Sequence, residues 1–453
     1  MNNDMTAPDF TQIVWSANEP SSQSEAWDYK RVVVHVDLNS FYTSCEELRS
    51  PQLVGKPHAV IMTHEELGYI SKGVVASCSY EARKLGVKSA MPLASALKAC
   101  PDLVLERVDI QYYLTISEIV MNILHDYSDT LEQTSIDEAY LDCSDKIRAL
   151  TMGTSLSARN GVSTLASRPS SEGEQVYNLG YSHLIEDFAR SIKNRIKVEC
   201  GLLTSVGVAP TKSIAKIASD FRKPDGLTIV GPTEVRNFLE NLEVDRISGI
   251  GVVTQRSLKQ MGINTIGQLA RTDVQTLVHR FGNKNGIRMW KIANGLDEDP
   301  VHPRGEHNSL SAEYTLPDFT KDQQMLLVYF DALTDELFRR IQKRGYQFRT
   351  VGIKLVHADF VVETRERSYQ HYQGNRQSIS DVLPSLLRKF YSRVPESQEG
   401  QVDRDTTEKK TLNSDTELLV DVPIRKIGIR ISNMILKRGC GRQKGQLRMP
   451  DYF

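Results

Sequence analysis

The 453-residue sequence predicts an α/β protein of several domains, and three observations carry that reading. The β-branched run RVVVHVDL (31–38) has strand length and unbroken apolarity, as expected of a strand buried on both faces. Strand-like and helix-like periods then alternate along the chain. At roughly 150 residues per domain, the length allows about three domains. Apolar residues make up 40% and charged residues 25%, a globular composition that builds a large core without disulfides or structural metals.

Taken in order, residues 1–29 are polar and read as a loosely ordered extension. After the first strand, KGVVASCSYEARKLGV reads as a strand feeding a helix. QYYLTISEIVMNILHDYS (111–128) carries apolar residues at helical spacing. LEQTSIDEAYLDCS alternates like a β-hairpin. Residues 150–180 are rich in Ser, Thr and Gly and lack periodicity, so an insertion loop is expected there. YSHLIEDFARSIKNRIKVEC returns to helix and TSVGVAPT to strand. Residues 244–300 form short helical patterns broken by Gly249, Gly251, Gly262 and Gly282. Beyond a linker near 301–308, strands and helices alternate again, interrupted by a second polar insertion at 396–417. The tail 437–453 is basic and ends in two aromatics.

Lys and Arg number 56 against 57 Asp and Glu, which excludes a globally basic nucleic-acid coat. The charge is split, however: 25 basic against 20 acidic residues from Val301 onward, and 31 against 37 before it. No run of about 18 apolar residues predicts a membrane span, and MNNDMTAPDF lacks a signal-peptide pattern. None of the six cysteines forms a CxxC or zinc-knuckle spacing. Idle thiols in a reducing compartment are expected: cytoplasmic, or nuclear for a eukaryotic source.

Asp37 ends the buried strand, and Asp137 and Glu138 are adjacent in the hairpin. A carboxylate in a dry core is costly unless it is paired or binds a metal. Hard divalent cations suit such a set. Neighbours on a regular strand face opposite ways, so Asp137 and Glu138 need a bulge or turn to converge. On spacing alone, Asp37 capping a turn beside a solvated Asp137–Glu138 hairpin tip is the favoured reading.

Four segments in order, VDLNSFYTSCEE, SYEARKLGVKSAMP, SIDEAYLD and GVAPTKSIAKIASDFRKPDGL, resemble the Y-family translesion DNA polymerases, and among them the DNA polymerase IV (DinB-like) branch. The resemblance spans about residues 31–435. It implies a right-hand fold: palm at 30–40 and 109–240, fingers at 41–108, helical thumb at 241–300 and little finger at 308–435. The implied palm is a βαββαβ-like sheet on which the acids meet across neighbouring strands. The implied function is template-directed, low-fidelity addition of deoxynucleotides to a primer 3′-hydroxyl without proofreading.

The resemblance makes Asp37, Asp137 and Glu138 ligands of two Mg²⁺ ions, joined by the carbonyl of Leu38. Many family members have Asp where this chain has Asn39. Tyr80, Arg83 and Lys223 match the triphosphate contacts and Ser77 a helping hydroxyl. Tyr80 and Arg83 share one face if their segment is helical. Lys216 stands open between a phosphate contact and a surface charge. Tyr42 falls at the sugar gate, where a ring collides with a ribose 2′-hydroxyl; Phe41 reads as packing or as a floor under the nucleotide.

ISGIGVVTQRSLKQMGINTIGQLA resembles a helix-hairpin-helix, with Gly249 and Gly251 offering backbone amides to a phosphate. The basic last third resembles a little finger. Its candidate phosphate contacts are Arg349, Lys354, Arg365, Arg367, Arg425, Lys426 and Arg430. QLRMPDYF places Gln446, Met449, Tyr452 and Phe453 at the spacing of the sliding-clamp (PCNA) interaction peptide. The implied partners are primer-template DNA, deoxynucleoside triphosphates and a PCNA-type clamp, with an archaeal source favoured, a monomer expected and no membrane. The competing reading is a catalytically weak DNA- and clamp-binding scaffold.

Overall fold

The computed structural model describes residues 31–62, 73–159, 171–303, 305, 308–391 and 422–436. The chain divides into two compact units, Met1–Thr63 with Lys72–Pro303, and His64–Ser71 with Arg304–Phe453.

The first unit opens with β1 (Val33–Leu38), every residue of which is buried. It continues through α1 (Phe41–Arg49), β2 (His58–Met62), β3 (Val74–Cys78), α2 (Tyr80–Lys84), α3 (Leu93–Ala99), β4 (Val104–Arg107), α4 (Ile110–His125), β5 (Thr130–Gln133) and β6 (Glu138–Asp142). Then come α5 (Ser144–Arg159), α6 (Ser171–Cys200), β7 (Thr204–Ala209), α7 (Lys212–Phe221) and β8 (Leu227–Ile229). Four short helices follow: α8 (Val235–Glu240), α9 (Val252–Gln260), α10 (Ile266–Arg271) and α11 (Val274–Ala293).

The main sheet has the order β5-β6-β1-β7-β8. Antiparallel β6 and β7 flank β1, so the unbroken apolar run is the sheet's central strand, as its composition required. The order of β1, β5, β6 and β7 is that of a βαββαβ unit. Within β1, alternate side chains face opposite ways. Val33, His35 and Asp37 share the side on which α7 packs; the His35 ring meets Ser219 there. α7 lies directly on β7: a Cβ added at Gly207 would stand 2.0 Å from the carbonyl oxygen of Ala215. Residues 58–107 build a separate three-stranded sheet, β3-β2-β4. The helices α8–α11 share one core with α7, through Ile214, Val235, Leu258, Leu269 and Leu277.

The insertion loop expected over 150–180 is corrected at both ends, and its middle, residues 160–170, lies outside the described residues. Residues 150–159 end α5 and residues 171–180 open α6. Extending a helix by one residue costs little once the amphipathic stretch after 181 has nucleated it. Ser and Gly disguise such an extension in composition without preventing it. The extension 1–29, the insertion 396–417 and the tail 437–453 lie outside the described residues.

The second unit contains β9 (Ser309–Thr320), α12 (Gln323–Arg344), β10 (Tyr346–His357), β11 (Val362–Gln373), α13 (Gln377–Ser380), α14 (Leu383–Tyr391) and β12 (Ile424–Leu436). Its sheet runs β11-β10-β12-β9. Helices cover one face over a core containing Phe330, Phe348, Ile353, Leu386 and Ile429. Among the described residues no helix is long and apolar enough to cross a membrane. Four of the five described cysteines are buried, and all five are unbridged.

Candidate active site on the central sheet

Asp37 and Glu138 are direct cross-strand partners at the end of the β1–β6 ladder. Asp137 lies just before β6, in the turn that follows β5. There the amides of Thr134 and Ser135 both donate to the carbonyl of Glu138, at 3.0 and 3.4 Å. The amide of Leu38 donates to the carbonyl of Asp137 at 2.9 Å, and the Ser135 hydroxyl donates to Asp137 Oδ1 at 2.5 Å. A turn is thus what lets two consecutive acids join Asp37 despite strand alternation. Burial pushes the Asp137 carboxyl above its usual range, against the Ser135 hydrogen bond, and Glu138 pushes the same way.

Two lysines sit on these acids. Lys223 Nζ lies 2.7 Å from Asp37 Oδ2 and 2.6 Å from Asp220 Oδ1. Lys216 Nζ lies 2.6 Å from Glu138 Oε2, so Lys216 is a member of the site. Burial raises Asp37, and Lys223 only partly offsets it. The Glu138 carboxyl goes the other way: burial is outweighed by cations, and it falls below the usual range. Complete burial, helped by Lys216, holds His35 neutral, with a pKa lowered to about 3. At neutral pH the attraction on Glu138 therefore comes from Lys216, although His35 Nε2 is only 3.9 Å away. Among the described residues no three His, Cys, Asp or Glu side chains stand as a ready cation cage. The ammonium groups hold the positions that cations would compete for. The donor set itself, oxygen-only and partly buried, suits hard divalent ions.

Tyr42 follows β1 on α1, with Asp137 among the charges acting on its hydroxyl. Its ring stacks on Tyr113, centroids 4.6 Å apart and planes 16° apart. Tyr113 is fully buried and donates its hydroxyl to Glu46 Oε1 at 2.6 Å. Phe41 is buried, as expected of packing. At the β3–α2 junction Ser77 is buried. The Arg83 guanidinium lies over the Tyr80 ring at 4.9 Å, and its Nε donates to the carbonyl of Cys78 at 3.2 Å. Tyr80 and Arg83 therefore do share a helix face.

The clamp on the Lys223 loop was not visible in sequence. Asn39 Oδ1 accepts from the amide of Asp225 at 2.7 Å, and Asn39 Nδ2 donates to Ser205 Oγ at 2.9 Å. Ser205 Oγ also accepts from the amide of Gly226 at 3.3 Å. Lys193 of α6 donates to Asp225 Oδ1 at 2.6 Å and to the carbonyls of Thr204, Asp225 and Gly226. Asn39 serves as acceptor toward the loop and as donor to Ser205, which a carboxylate cannot do. KPDG announces a turn, but nothing marks Lys193 among the charges of its helix.

In the helical region Gly249 has φ +94. A Cβ there would meet Arg288 Nη1 at 2.9 Å, and Arg288 Nη2 donates to the carbonyl of Ser248 at 3.0 Å. Gly251 faces open space, and Val252 and Val253 beyond it are exposed. In the second unit the candidate cations separate by register. Lys354 pairs across strands with Gly428, and Arg430 with Gly352, on the face away from the helices. Lys426 belongs to that face and Arg425 to neither: its guanidinium lies 4.5 Å from the Phe360 ring centroid. Arg365 and Arg367 pair with core residues Ile353 and Val351, and Arg365 lies over the Phe390 ring at 4.6 Å. Their side is the helical side. Arg349 sits at a register shift and donates to the carbonyl of Tyr369 at 3.1 Å. Gln446, Met449, Tyr452 and Phe453 lie outside the described residues.

Comparison with known proteins matches three segments: residues 36–220 to the impB/mucB/samB family, 245–297 to a DNA polymerase-iota thumb domain, and 307–448 to the impB/mucB/samB C-terminal domain. A protein named DNA polymerase IV from Methanoculleus marisnigri is 37% identical, the match covering 91% of this chain and 96% of that protein. Another DNA polymerase IV, from the bacterium Mannheimia succiniciproducens, is 36% identical over 80% of this chain and 91% of its own length. Among solved structures, a Y-family DNA polymerase chimera of Dbh and Dpo4 has a TM-score of 0.71 at 27% identity. An insertion ternary complex of Dbh DNA polymerase has a TM-score of 0.56 at 27% identity. Each covers 90% of this chain and 100% of its own.

Proposed function

The chain belongs to the impB/mucB/samB family of Y-family DNA polymerases, in the DNA polymerase IV (DinB-like) branch, and from that premise we propose how its residues divide the work. It is a DNA-directed DNA polymerase of the translesion type, a metal-dependent nucleotidyltransferase acting on primer-template DNA with nucleotide substrates. Asp37, Asp137, Glu138 and the Leu38 carbonyl would hold two Mg²⁺ ions. When bound, such ions would supply Lewis-acid chemistry, lowering the pKa of the primer 3′-hydroxyl and offsetting charge on the leaving pyrophosphate. The observation that carries this assignment is the cross-strand Asp37–Glu138 pair with Asp137 turned in beside it.

The protein's own groups supply the rest. Lys223 and Lys216 neutralise the carboxylates in the resting site. Arg83 and Tyr80 add a guanidinium and a directed hydroxyl for the triphosphate, with Ser77 beneath. Tyr42, backed by Tyr113, blocks a ribose 2′-hydroxyl. Gly249 and Gly251 hold one DNA phosphate through backbone amides, and Arg349, Lys354 and Arg430 supply charge on the second unit, whereas Arg365 stands on the helical side of its sheet. Palm, fingers, thumb and little finger follow the boundaries read from sequence. Gln446, Met449, Tyr452 and Phe453 dock on a PCNA-type clamp, supported by their spacing.

Primer extension on undamaged and abasic templates, wild type against Glu138→Ala, tests the reading. The wild type extends both, and the variant extends neither while still binding the duplex. Extension by Glu138→Ala at wild-type rate would remove Glu138 from the metal set.

A further inference from the structure

The face of the second-unit sheet away from its helices has small residues on its inner strands. Gly352 and Gly428 sit at its centre, with Ser311 at its side. Three cations stand on it, Lys354, Lys426 and Arg430. Glu313 stands among them. Its carboxylate reaches both lysines: Oε1 is 2.9 Å from Lys354 Nζ, and Oε2 pairs with Lys426 Nζ. The geometry depends on Gly428, the direct partner of Glu313 across the ladder. A Cβ at Gly428 would stand 2.9 Å from Glu313 Cγ, so only glycine lets the side chain lie flat and bridge the strands. Lys354 and Lys426 each keep about a third of their side-chain surface open, within reach of a docking polyanion.

We propose that Glu313 is an internal competitor for DNA phosphates, seated on Lys354 and Lys426 and keeping both lysines from engaging the phosphates of a bound duplex. This rests on the reading of this face as a DNA surface. A phosphate arriving at either lysine must take the place of a carboxylate already seated there. The grip is therefore weaker and more readily released than three cations would make it. Each phosphate newly engaged by a lysine steepens the salt dependence of binding by about 0.9 in log–log slope. Between 1 M and 0.15 M salt that is about 5-fold in affinity for one freed lysine and about 30-fold for two.

The test is binding of a labelled primer-template duplex to the full-length chain, by fluorescence anisotropy without added divalent cation, from 0.05 to 0.3 M KCl. Glu313→Gln keeps the shape and removes the charge; a melting curve checks its fold, and Glu313→Ser serves if it melts early. The expected result is about 5- to 30-fold tighter binding at 0.15 M and a slope steeper by about 1–2. The triple variant E313Q/K354M/K426M should lose that gain. Longer products under a single-encounter DNA trap should accompany the tighter binding. Arg430→Met reports whether the face meets DNA at all. Weaker binding in R430M with an unchanged slope in E313Q overturns the competitor role while leaving the face intact. No change in either variant overturns the underlying reading of the face. Weaker binding in E313Q shows that Glu313 arranges the lysines for DNA, which also overturns the proposal.

Discussion

Replacing Tyr113 by Phe separates two jobs that one side chain performs. The hydroxyl donates to Glu46 at 2.6 Å, and the ring backs Tyr42 at 4.6 Å. Glu46 is 3% exposed, and its other partner is Arg49, at 3.6 Å and shared with Asp109. Loss of a hydrogen bond to a buried charged acceptor costs about 2–3 kcal/mol, which lowers the melting temperature by roughly 5–10 °C. The ring remains, so Tyr42 keeps its backing and ribonucleotide exclusion should hold in Tyr113→Phe. In Tyr113→Ala the stack itself disappears. An aromatic pair is worth about 0.5–1.5 kcal/mol beyond its buried area, so discrimination against ribonucleotides should fall about 2- to 13-fold as Tyr42 gains room to turn. The assay is single-nucleotide incorporation, comparing kcat/KM for matched ribo- and deoxynucleotides, with melting curves for each variant. An unchanged ratio in Tyr113→Ala would refute the backing role. An equal change in both variants would place the effect in the hydroxyl.

Gly207→Ala should cost several kcal/mol and leave little soluble protein, because its Cβ meets backbone of α7 at 2.0 and 2.4 Å and backbone has nowhere to go; a soluble variant melting at the wild-type temperature would show that α7 shifts freely. Lys426 and Lys354 hold the Glu313 carboxyl below its usual range against the opposing effect of burial. Its ion pairs therefore stabilise fully above about pH 4.3 and fade as pH falls below it. E313Q should flatten acid unfolding between pH 5 and 3, as read by circular dichroism, and a curve parallel to wild type would deny the pairs a role. Phe453→Ala should abolish stimulation by a PCNA-type clamp and spare clamp-free extension, measured on primed circular DNA; stimulation that survives would locate clamp docking elsewhere.

Much of this architecture was legible in sequence because it rests on periodicity. RVVVHVDL could only be a strand covered on both sides, and it is the centre of its sheet. The acids were legible because a carboxylate at the end of such a strand needs an explanation, and SIDEAYLD supplied its neighbours in order. The helical ends of α5 and α6 were not legible, since Ser and Gly weaken a pattern without forbidding a helix. Lys216 was ambiguous because a lysine one turn before another charge looks like any solvated face; only the fold of α7 over β7 aims it at Glu138. Arg365 and Lys354 look equivalent in a basic strand, yet a register set by cross-strand pairing sends them to opposite faces. Lys193 and Glu313 act through partners far along the chain, and single-sequence spacing carries no record of such distances.

The order of the main sheet divides the charges of the site along the chain. Asp37, Asp137 and Glu138 all precede Cys143, whereas Lys216 and Lys223 both follow Thr204. Asp37 stands on β1 and Glu138 on β6, whereas Lys216 belongs to α7 and Lys223 to the loop after it, and α7 packs over β1 and β7. A polypeptide cut between α5 and α6 would yield an anionic half bearing Asp37, Asp137 and Glu138 and a cationic half bearing both ammonium groups, with Asp220 beside Lys223. The Lys223–Asp37 and Lys216–Glu138 pairs both cross that division, so they form only as the central sheet forms. The topology thus divides the charges of the site between two stretches of chain that meet only when the central sheet is formed.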